Sequence, residues 1–142
     1  MLVSVAHKHD KYCVMVSTEE FAPIVESGAI YSDISDNRNQ RFLFALKRAL
    51  LLLKKNVDKL KDNEVVVIEG SNSSVLQWFI NGNAIKEYED EFDDLFSLLC
   101  TIPCRIDFMK NEKPVAMNYI ESEQQVVLSG SAALLSMGDS DA

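Results

Sequence analysis

The chain has 142 residues, the length of one ordinary domain. Apolar residues make up 47% and charged residues 25%, a mixture typical of soluble globular proteins. The 14 basic and 22 acidic residues give a net charge of −8, which argues against a protein that coats nucleic acid or an anionic membrane through its overall field. No apolar run approaches the roughly 20 residues that span a bilayer, and polar residues interrupt the N-terminal apolar stretch, so we expect neither a membrane span nor a signal peptide.

The cysteine pattern indicates a reducing compartment. An odd number of cysteines, Cys13, Cys100 and Cys104, without a secretion signal is typical of free thiols in a cytoplasmic protein. A zinc site that combines His7 and His9 with two of these thiols has an unusual spacing. We therefore expect no metal and no cofactor.

The first part of the chain has the pattern of strands. Residues 2–7 and 12–17 are short, rich in β-branched or aromatic residues, and separated by a polar turn, which predicts a hairpin. Pro23 and Gly28 then mark a loop, and residues 29–34 are predicted to form a third strand.

A long helix over residues 39–60 is the strongest signal in the sequence, with Asp36 or Asn37 as the expected N-cap. Its apolar stripe consists of Phe42, Leu46, Ala49, Leu50, Leu53, Val57 and Leu60. Further apolar residues lie on a second face, which predicts a central helix that is covered on most sides.

The remaining elements alternate between strands and helices. They are a buried strand at 64–69, a helix at about 74–80 that a serine of the preceding turn could cap, a helix at about 87–100, a strand at 104–109 and a helix at about 113–125. Residues 126–142 are predicted to form a mobile acidic C-terminal tail.

This order of elements implies an α/β fold with a mixed five-stranded sheet flanked by helices. Residues 1–125 resemble the ribonuclease H-like fold, and three short segments are similar to family motifs. Residues 39–43 resemble the family's Asn-Asn-Arg-x-Glu start of the first helix, residues 68–78 resemble its strand-Asp-Ser turn and following helix, and residues 111–118 resemble its Asn-x-x-Ala-Asp segment.

The resemblance also implies a site, because the family uses clustered carboxylates to hold two divalent metals. The first strand contains no acidic residue, and the three other carboxylate positions are occupied by Leu43, Gly70 and either Met117 or Asn118. Glu69 lies one residue early, which would turn its side chain to the opposite face of the sheet. From the resemblance we therefore expect a catalytically inactive member without a metal site.

Charge is unevenly distributed along the chain. Between Arg38 and Lys61 eight basic residues stand against Asp58 alone, whereas residues 86–94 are acidic. These two stretches are either solvated helix faces that partly neutralise each other or a bipolar surface that steers a partner or another copy of the chain. The candidate partner-binding residues are Phe44, Lys47, Arg48, Leu51, Lys54, Lys55, Tyr88, Asp93 and Asp94.

These observations lead us to expect a non-catalytic binding module that acts through protein–protein contacts as an adaptor, an inhibitor or an assembly factor, with a viral origin as one option. Its partner is expected to be another protein, with a second copy of the chain as an option and no membrane. One alternative is a divergent metal-dependent nuclease that uses Glu69, Asp33 or Asp107. The other is a nucleic-acid binder that uses the basic helix 38–61.

Overall fold

The computed structural model describes residues 1–31 and 37–122. Its strands are β1 (Leu2–Lys8), β2 (Lys11–Ser17), β3 (Ile24–Ala29), β4 (Val65–Gly70) and β5 (Arg105–Lys110). Its helices are α1 (Arg38–Lys55), α2 (Ser73–Asn81), α3 (Glu89–Cys100) and α4 (115–122). None of the helices in these ranges is long and apolar enough to cross a membrane.

The strands form one mixed sheet in the order β3-β2-β1-β4-β5. Strands β1, β2 and β3 are antiparallel neighbours, whereas β4 runs parallel to both β1 and β5. The carboxyl ends of β1, β4 and β5 therefore meet at one edge of the sheet. This architecture confirms the predicted α/β fold with a five-stranded mixed sheet.

Helix α1 packs along one face of the sheet and forms the centre of the core. Phe42, Leu46 and Leu53 are completely buried on α1, opposite Val3 and Val5 of β1. Helix α4 covers the opposite face with Ala116 and Ile120, which are also completely buried. The sheet is consequently enclosed between two helical layers, with α1 on one face and α4 on the other.

The prediction of a third strand at 29–34 is wrong, because β3 is Ile24–Ala29 and residues 32–36 lie outside the described part of the chain. In the sequence, Pro23 and Gly28 had indicated a loop at this place. Pro23 directly precedes the strand, and Gly28 is accommodated within it. A Cβ atom at Gly28 would lie 3.0 Å from the ring of Tyr12, so glycine makes room for that ring. Glycine and proline are tolerated there because β3 is an edge strand.

Other boundaries differ by a few residues. Helix α1 ends at Lys55, and a short 3-10 turn at Val57–Lys59 follows, so the predicted helix to residue 60 is too long. Helix α2 is capped by Asn72, whose side chain accepts a hydrogen bond from the backbone N–H of Val75, rather than by a serine. The end of the last predicted helix and the predicted tail at 126–142 fall outside the described residues.

Candidate functional site at the carboxyl edge of the sheet

Three parallel strands and three helix starts meet at one place in the fold. We call this region the carboxyl edge; it comprises the ends of β1, β4 and β5 and the first turns of α1, α2 and α4. Crevices beyond the carboxyl ends of parallel strands are the usual location of ligand sites in α/β folds. The carboxyl edge is therefore the first region in which to look for a site.

On the face covered by α4, a buried carboxylate joins the sheet to the helix. Glu69 is 2% exposed, and its oxygens accept hydrogen bonds from the hydroxyl of Ser4 at 2.7 Å, the amide of Asn111 at 3.0 Å and the backbone N–H of Val115 at 2.7 Å. The Ser4 hydroxyl in turn accepts from the backbone N–H of Ala116 at 2.8 Å. The carboxylate thus faces the N-terminal end of α4, where a negative charge is stabilising.

On the face covered by α1, an aromatic ring occupies the space beside β4. A Cβ atom at Gly70 would lie 2.5 Å from the ring of Phe42. The ring of His7, at the end of β1, packs edge-to-face against the same phenyl ring at a centroid distance of 6.0 Å. A side chain larger than hydrogen therefore does not fit at position 70 without a shift of Phe42.

The carboxylate positions implied by the family resemblance are consequently filled by other groups. Leu43 is 4% exposed in the core, Gly70 faces Phe42, and Met117 and Asn118 lie on α4. Neighbouring residues of a strand point to opposite faces, so Glu69 points to α4 while Gly70 points to α1. The expected displacement of Glu69 to the other face agrees with these contacts.

The alternative carboxylates do not form a metal site in the part of the chain that is described. Asp107 lies on β5 beside Val67 and accepts a hydrogen bond from Arg105 at 3.3 Å, and Asp33 lies outside the described residues. Among residues 1–31 and 37–122, no group of three or more His, Cys, Asp or Glu side chains is placed to hold a metal ion.

Basic and amide side chains lie at the carboxyl edge instead. Burial, followed by the positive charges of Arg41 and Arg38, lowers the pKa of His7 from 6.5 to about 4. Helix α1 starts at Arg38, and the amide of Asn39 accepts a hydrogen bond from the amide of Asn72 at 2.9 Å, which ties the starts of α1 and α2 together. The edge therefore has the chemistry to attract an anion.

The candidate residues on α1 do not form one surface. Phe44 is half-buried and packs edge-to-face on Tyr12 and Tyr31, at centroid distances of 5.5 and 5.4 Å. Arg48 donates a hydrogen bond of 2.6 Å to Glu26. Leu51 is half-buried, whereas Lys47, Lys54 and Lys55 are exposed.

The acidic candidates lie on α3 and the turn before it. Tyr88 is 5% exposed, stacks on Trp78 and exchanges hydrogen bonds with Asn37, so it contributes to the core rather than to a free surface. Asp93 and Asp94 are exposed. Of these, Asp94 lies with Lys47 and Phe44 along a groove of about 190 Å³ between α1 and α3. The role of these residues in partner binding stays a prediction.

Sequence analysis missed His7, Ser4 and Asn111 as members of the carboxyl edge. Arg38 and Arg41 could have been singled out from the sequence, because basic residues in the first turn of a helix interact unfavourably with the helix dipole and are therefore unexpected there. The hydrogen bond between Ser4 and Glu69 could not be predicted in this way, since the two residues are 65 positions apart in the sequence.

Comparison with solved structures identifies the architecture. An LC11 ribonuclease H1 in complex with an RNA/DNA hybrid matches with a TM-score of 0.62 at 17% identity, over 78% of this chain and 83% of that chain. A ribonuclease H1 from the halophilic archaeon Halobacterium salinarum NRC-1 matches with a TM-score of 0.55 at 12% identity, over 84% and 90% of the two chains. The chain has a ribonuclease H-like fold. No family model and no curated protein sequence matches it.

The same comparison corrects our expected function. The two structures named above are ribonucleases H1, and one of them is bound to an RNA/DNA hybrid. The interpretation as a non-catalytic module that acts through protein–protein contacts is therefore wrong, and the two alternatives, a nuclease and a nucleic-acid binder, are favoured.

Proposed function

We propose that the chain binds nucleic acid, with an RNA/DNA hybrid as the first candidate ligand, through the carboxyl edge. The observation that carries this proposal is the presence of Arg38 and Arg41 at the start of α1, at the carboxyl edge of a fold that a solved hybrid complex shares. Guanidinium groups bind phosphate oxygens in a bidentate geometry, and phosphate contacts supply most of the affinity in non-specific nucleic-acid binding.

The charge at the carboxyl edge supports the proposal although the whole chain is acidic. Lys8 at the end of β1 adds to the two arginines. Lys110 forms an ion pair with Glu112, and Lys113 forms one with Glu121, so these two lysines contribute less. In the described ranges, by contrast, no carboxylate forms a side-chain ion pair with Lys8 or Arg38.

Two ends of α1 can be compared in one experiment. Arg38 lies at its start, and Lys54 and Lys55 are exposed at its other end. We expect the double variant Arg38→Glu, Arg41→Glu to bind a fluorescent RNA/DNA hybrid at least about tenfold more weakly than the parent, because each lost charge-assisted contact is worth about 1.5–3 kcal/mol. The double variant Lys54→Glu, Lys55→Glu changes the charge by the same amount and should bind within about threefold of the parent.

Fluorescence anisotropy with a hybrid, duplex DNA, duplex RNA and single strands of equal length measures both affinity and preference. Equal losses in both double variants would contradict binding at the carboxyl edge and would favour the whole basic helix. Absence of binding to all four ligands would overturn the proposal.

A metal-dependent nuclease is the competing function, and the same protein tests it. The hybrid is incubated with magnesium or manganese and, separately, with a chelator. Cleavage that requires the metal would show that the chain is a nuclease and not only a binder. Binding that is unchanged by the chelator and leaves the hybrid intact would support the proposal, because guanidinium contacts require no metal.

A further inference from the structure

Strand β3 leaves one edge of the sheet open. No other strand of the described ranges pairs with its outer side, and Val25, Ser27 and Ala29 are exposed. An open edge presents backbone N–H and C=O groups to any strand that can pair with them, and proteins commonly protect such an edge with lysine, other charges, proline or a bulge. The edge of β3 therefore requires either protection or a partner.

The two edges of the sheet differ in this protection. Strand β5, at the other edge, contains the charged residues Arg105, Asp107 and Lys110. Strand β3 has the sequence Ile-Val-Glu-Ser-Gly-Ala, with Glu26 as its one charged residue and with neither lysine nor proline. Because the carboxylate of Glu26 accepts a hydrogen bond from Arg48 of α1, its charge is directed to that helix and does not protect the edge.

The pairing of β3 with β2 shows which backbone groups of β3 are free. Ile30, directly after the strand, donates its N–H to the carbonyl of Asp10 at 2.6 Å, so its backbone groups point toward the hairpin. In an antiparallel ladder this direction alternates from one residue to the next. The N–H and C=O groups of Val25, Ser27 and Ala29 consequently point away from β2.

We propose that the edge of β3 is a self-association surface, at which β3 of a second copy of this chain pairs antiparallel about a two-fold axis at Ser27. This register pairs Ser27 with Ser27 and Val25 with Ala29 of the second copy, so that every outward N–H and C=O group of the strand acquires a partner. It also places Glu26 opposite Gly28, which keeps the two carboxylates apart. The pairing uses the open edge of both copies and leaves only the charged edges of β5, so the assembly closes as a dimer.

Aromatic side chains at the two ends of β3 complement each other in this arrangement. Phe21 is 44% exposed and Tyr31 is 69% exposed. Both lie on the side of α1, because Tyr31 packs on Phe44 and the ammonium group of Lys59 lies over the ring of Phe21. Antiparallel pairing brings Tyr31 of each copy beside Pro23 and the neighbouring Phe21 of the other, and aromatic residues are enriched in protein interfaces.

Charge complementarity favours the same orientation. The segment before β3 contains the exposed residue Glu19, whereas the end of the strand at Ala29 pairs with Lys11 of the hairpin. The two-fold axis sets the acidic segment of each copy toward the lysine of the other, and complementary charges of this kind select one orientation of association. The inference is independent of the proposed function, because β2 separates β3 from the strands of the carboxyl edge.

Sedimentation equilibrium from micromolar to millimolar protein tests the proposal without any nucleic acid. We expect the mean mass to rise with concentration from 16.0 kDa to twice this value, since an interface built on one pair of strands is small and therefore weak. A mass that stays at 16.0 kDa over the whole range, or that grows beyond the dimer, would overturn the proposal.

Matched lysine substitutions locate the interface. Ser27→Lys places two ammonium groups opposite each other at the axis, and Met109→Lys makes the same change at an exposed position of β5. Ser27→Lys should weaken dimerisation at least about tenfold, whereas Met109→Lys should stay within about threefold of the parent. Circular dichroism verifies that both variants remain folded. Equal dimerisation of the two variants would place the contact elsewhere and refute the proposal.

A mixture of charges tests the two-fold register and separates repulsion from misfolding. Ser27→Glu, like Ser27→Lys, should dimerise at least about tenfold more weakly than the parent when it is alone. An equimolar mixture of the two should regain the dimer, because opposite charges then face each other across the axis. A mixture that associates no better than either variant alone would show that Ser27 does not lie at the axis, and the proposed pairing would be wrong.

Discussion

At the scale of single residues, Glu69 links three segments that are far apart in the sequence. Its carboxylate accepts hydrogen bonds from Ser4 on β1, from Asn111 after β5 and from the backbone of Val115 at the start of α4. A buried carboxylate is retained at low cost only when its oxygens are fully bonded, as they are here. Glu69 therefore serves to fix α4 to the sheet.

This role predicts a measurable loss of stability in Glu69→Gln. The amide keeps the size of the side chain but places an NH2 group against one of the three donors, so a donor is left unsatisfied in a buried place. We expect a loss of about 1–3 kcal/mol in the free energy of unfolding, measured with urea. The exposed Glu112, which pairs with Lys110, provides the control Glu112→Gln, with an expected change below about 0.5 kcal/mol. Equal stabilities of the two variants would refute this role.

A second carboxylate predicts the behaviour of the protein in acid. The Arg48 guanidinium holds the pKa of Glu26 below its ordinary value of 4.5, with the Tyr12 hydroxyl adding to this effect and burial opposing it. Since this pKa is depressed in the folded state, the stabilisation is present above pH 4.5 and is lost as the pH falls through the folded-state pKa.

The variant Glu26→Gln should therefore be less stable than the parent near neutral pH and should lose less stability between about pH 5 and pH 3. Thermal melts at several pH values measure this convergence. Glu20→Gln removes the exposed ion pair with Lys61 and should follow the parent curve. Parallel curves for Glu26→Gln and the parent would show that this ion pair does not contribute to acid sensitivity.

At the scale of elements, the start of α1 and the end of β4 depend on each other. The ring of Phe42 lies where a Cβ atom of residue 70 would be. Overpacking of a filled core costs about 1–3 kcal/mol, so Gly70→Ala should destabilise the protein by this amount. In the background Phe42→Leu, which removes part of the ring, the same substitution should cost at least about 1 kcal/mol less. Urea unfolding of the four proteins in a double-mutant cycle measures the difference, and strict additivity would contradict the contact.

Elements with a strong periodic pattern were predictable, and those that depend on distant partners were not. Helix α1 follows from its apolar spacing, because that spacing directly reflects burial of one face. Strand β3 has no alternation to read, since it is an edge strand that is exposed along most of its length. Of the carboxyl edge, the sequence predicted only that the family's carboxylates are missing. Its actual groups come together through contacts that local sequence does not reveal. Glu69 meets Ser4 through the pairing of β4 with β1, and His7 lies near Arg41 because α1 packs on the sheet.

At the scale of the whole molecule, the place of a charged residue in the fold matters more than the sequence segment to which it belongs. The net charge is −8, yet the basic stretch from Arg38 to Lys61 does not form one continuous cationic face. Arg48 is paired with Glu26, Lys61 with Glu20, and Lys47 lies in the groove with two carboxylates of α3. Under the proposed function, the acidic remainder of the surface repels nucleic acid and orients it toward the arginines of the carboxyl edge.

This distribution predicts a weak salt dependence of hybrid binding. Each phosphate neutralised on a duplex contributes roughly 0.9 to the slope of log affinity against log salt concentration. Contacts limited to Lys8, Arg38 and Arg41 should therefore give a slope of about −2 to −3, whereas a duplex lying along the entire helix 38–61 would give about −5 or steeper. Anisotropy titrations from 50 to about 200 mM salt measure this slope.

In Arg38→Gln, Arg41→Gln the slope should fall in magnitude by about 2, and in Lys54→Gln, Lys55→Gln it should stay as in the parent. A steep slope that both double variants reduce equally would show that the basic helix as a whole, and not the carboxyl edge, contacts the backbone.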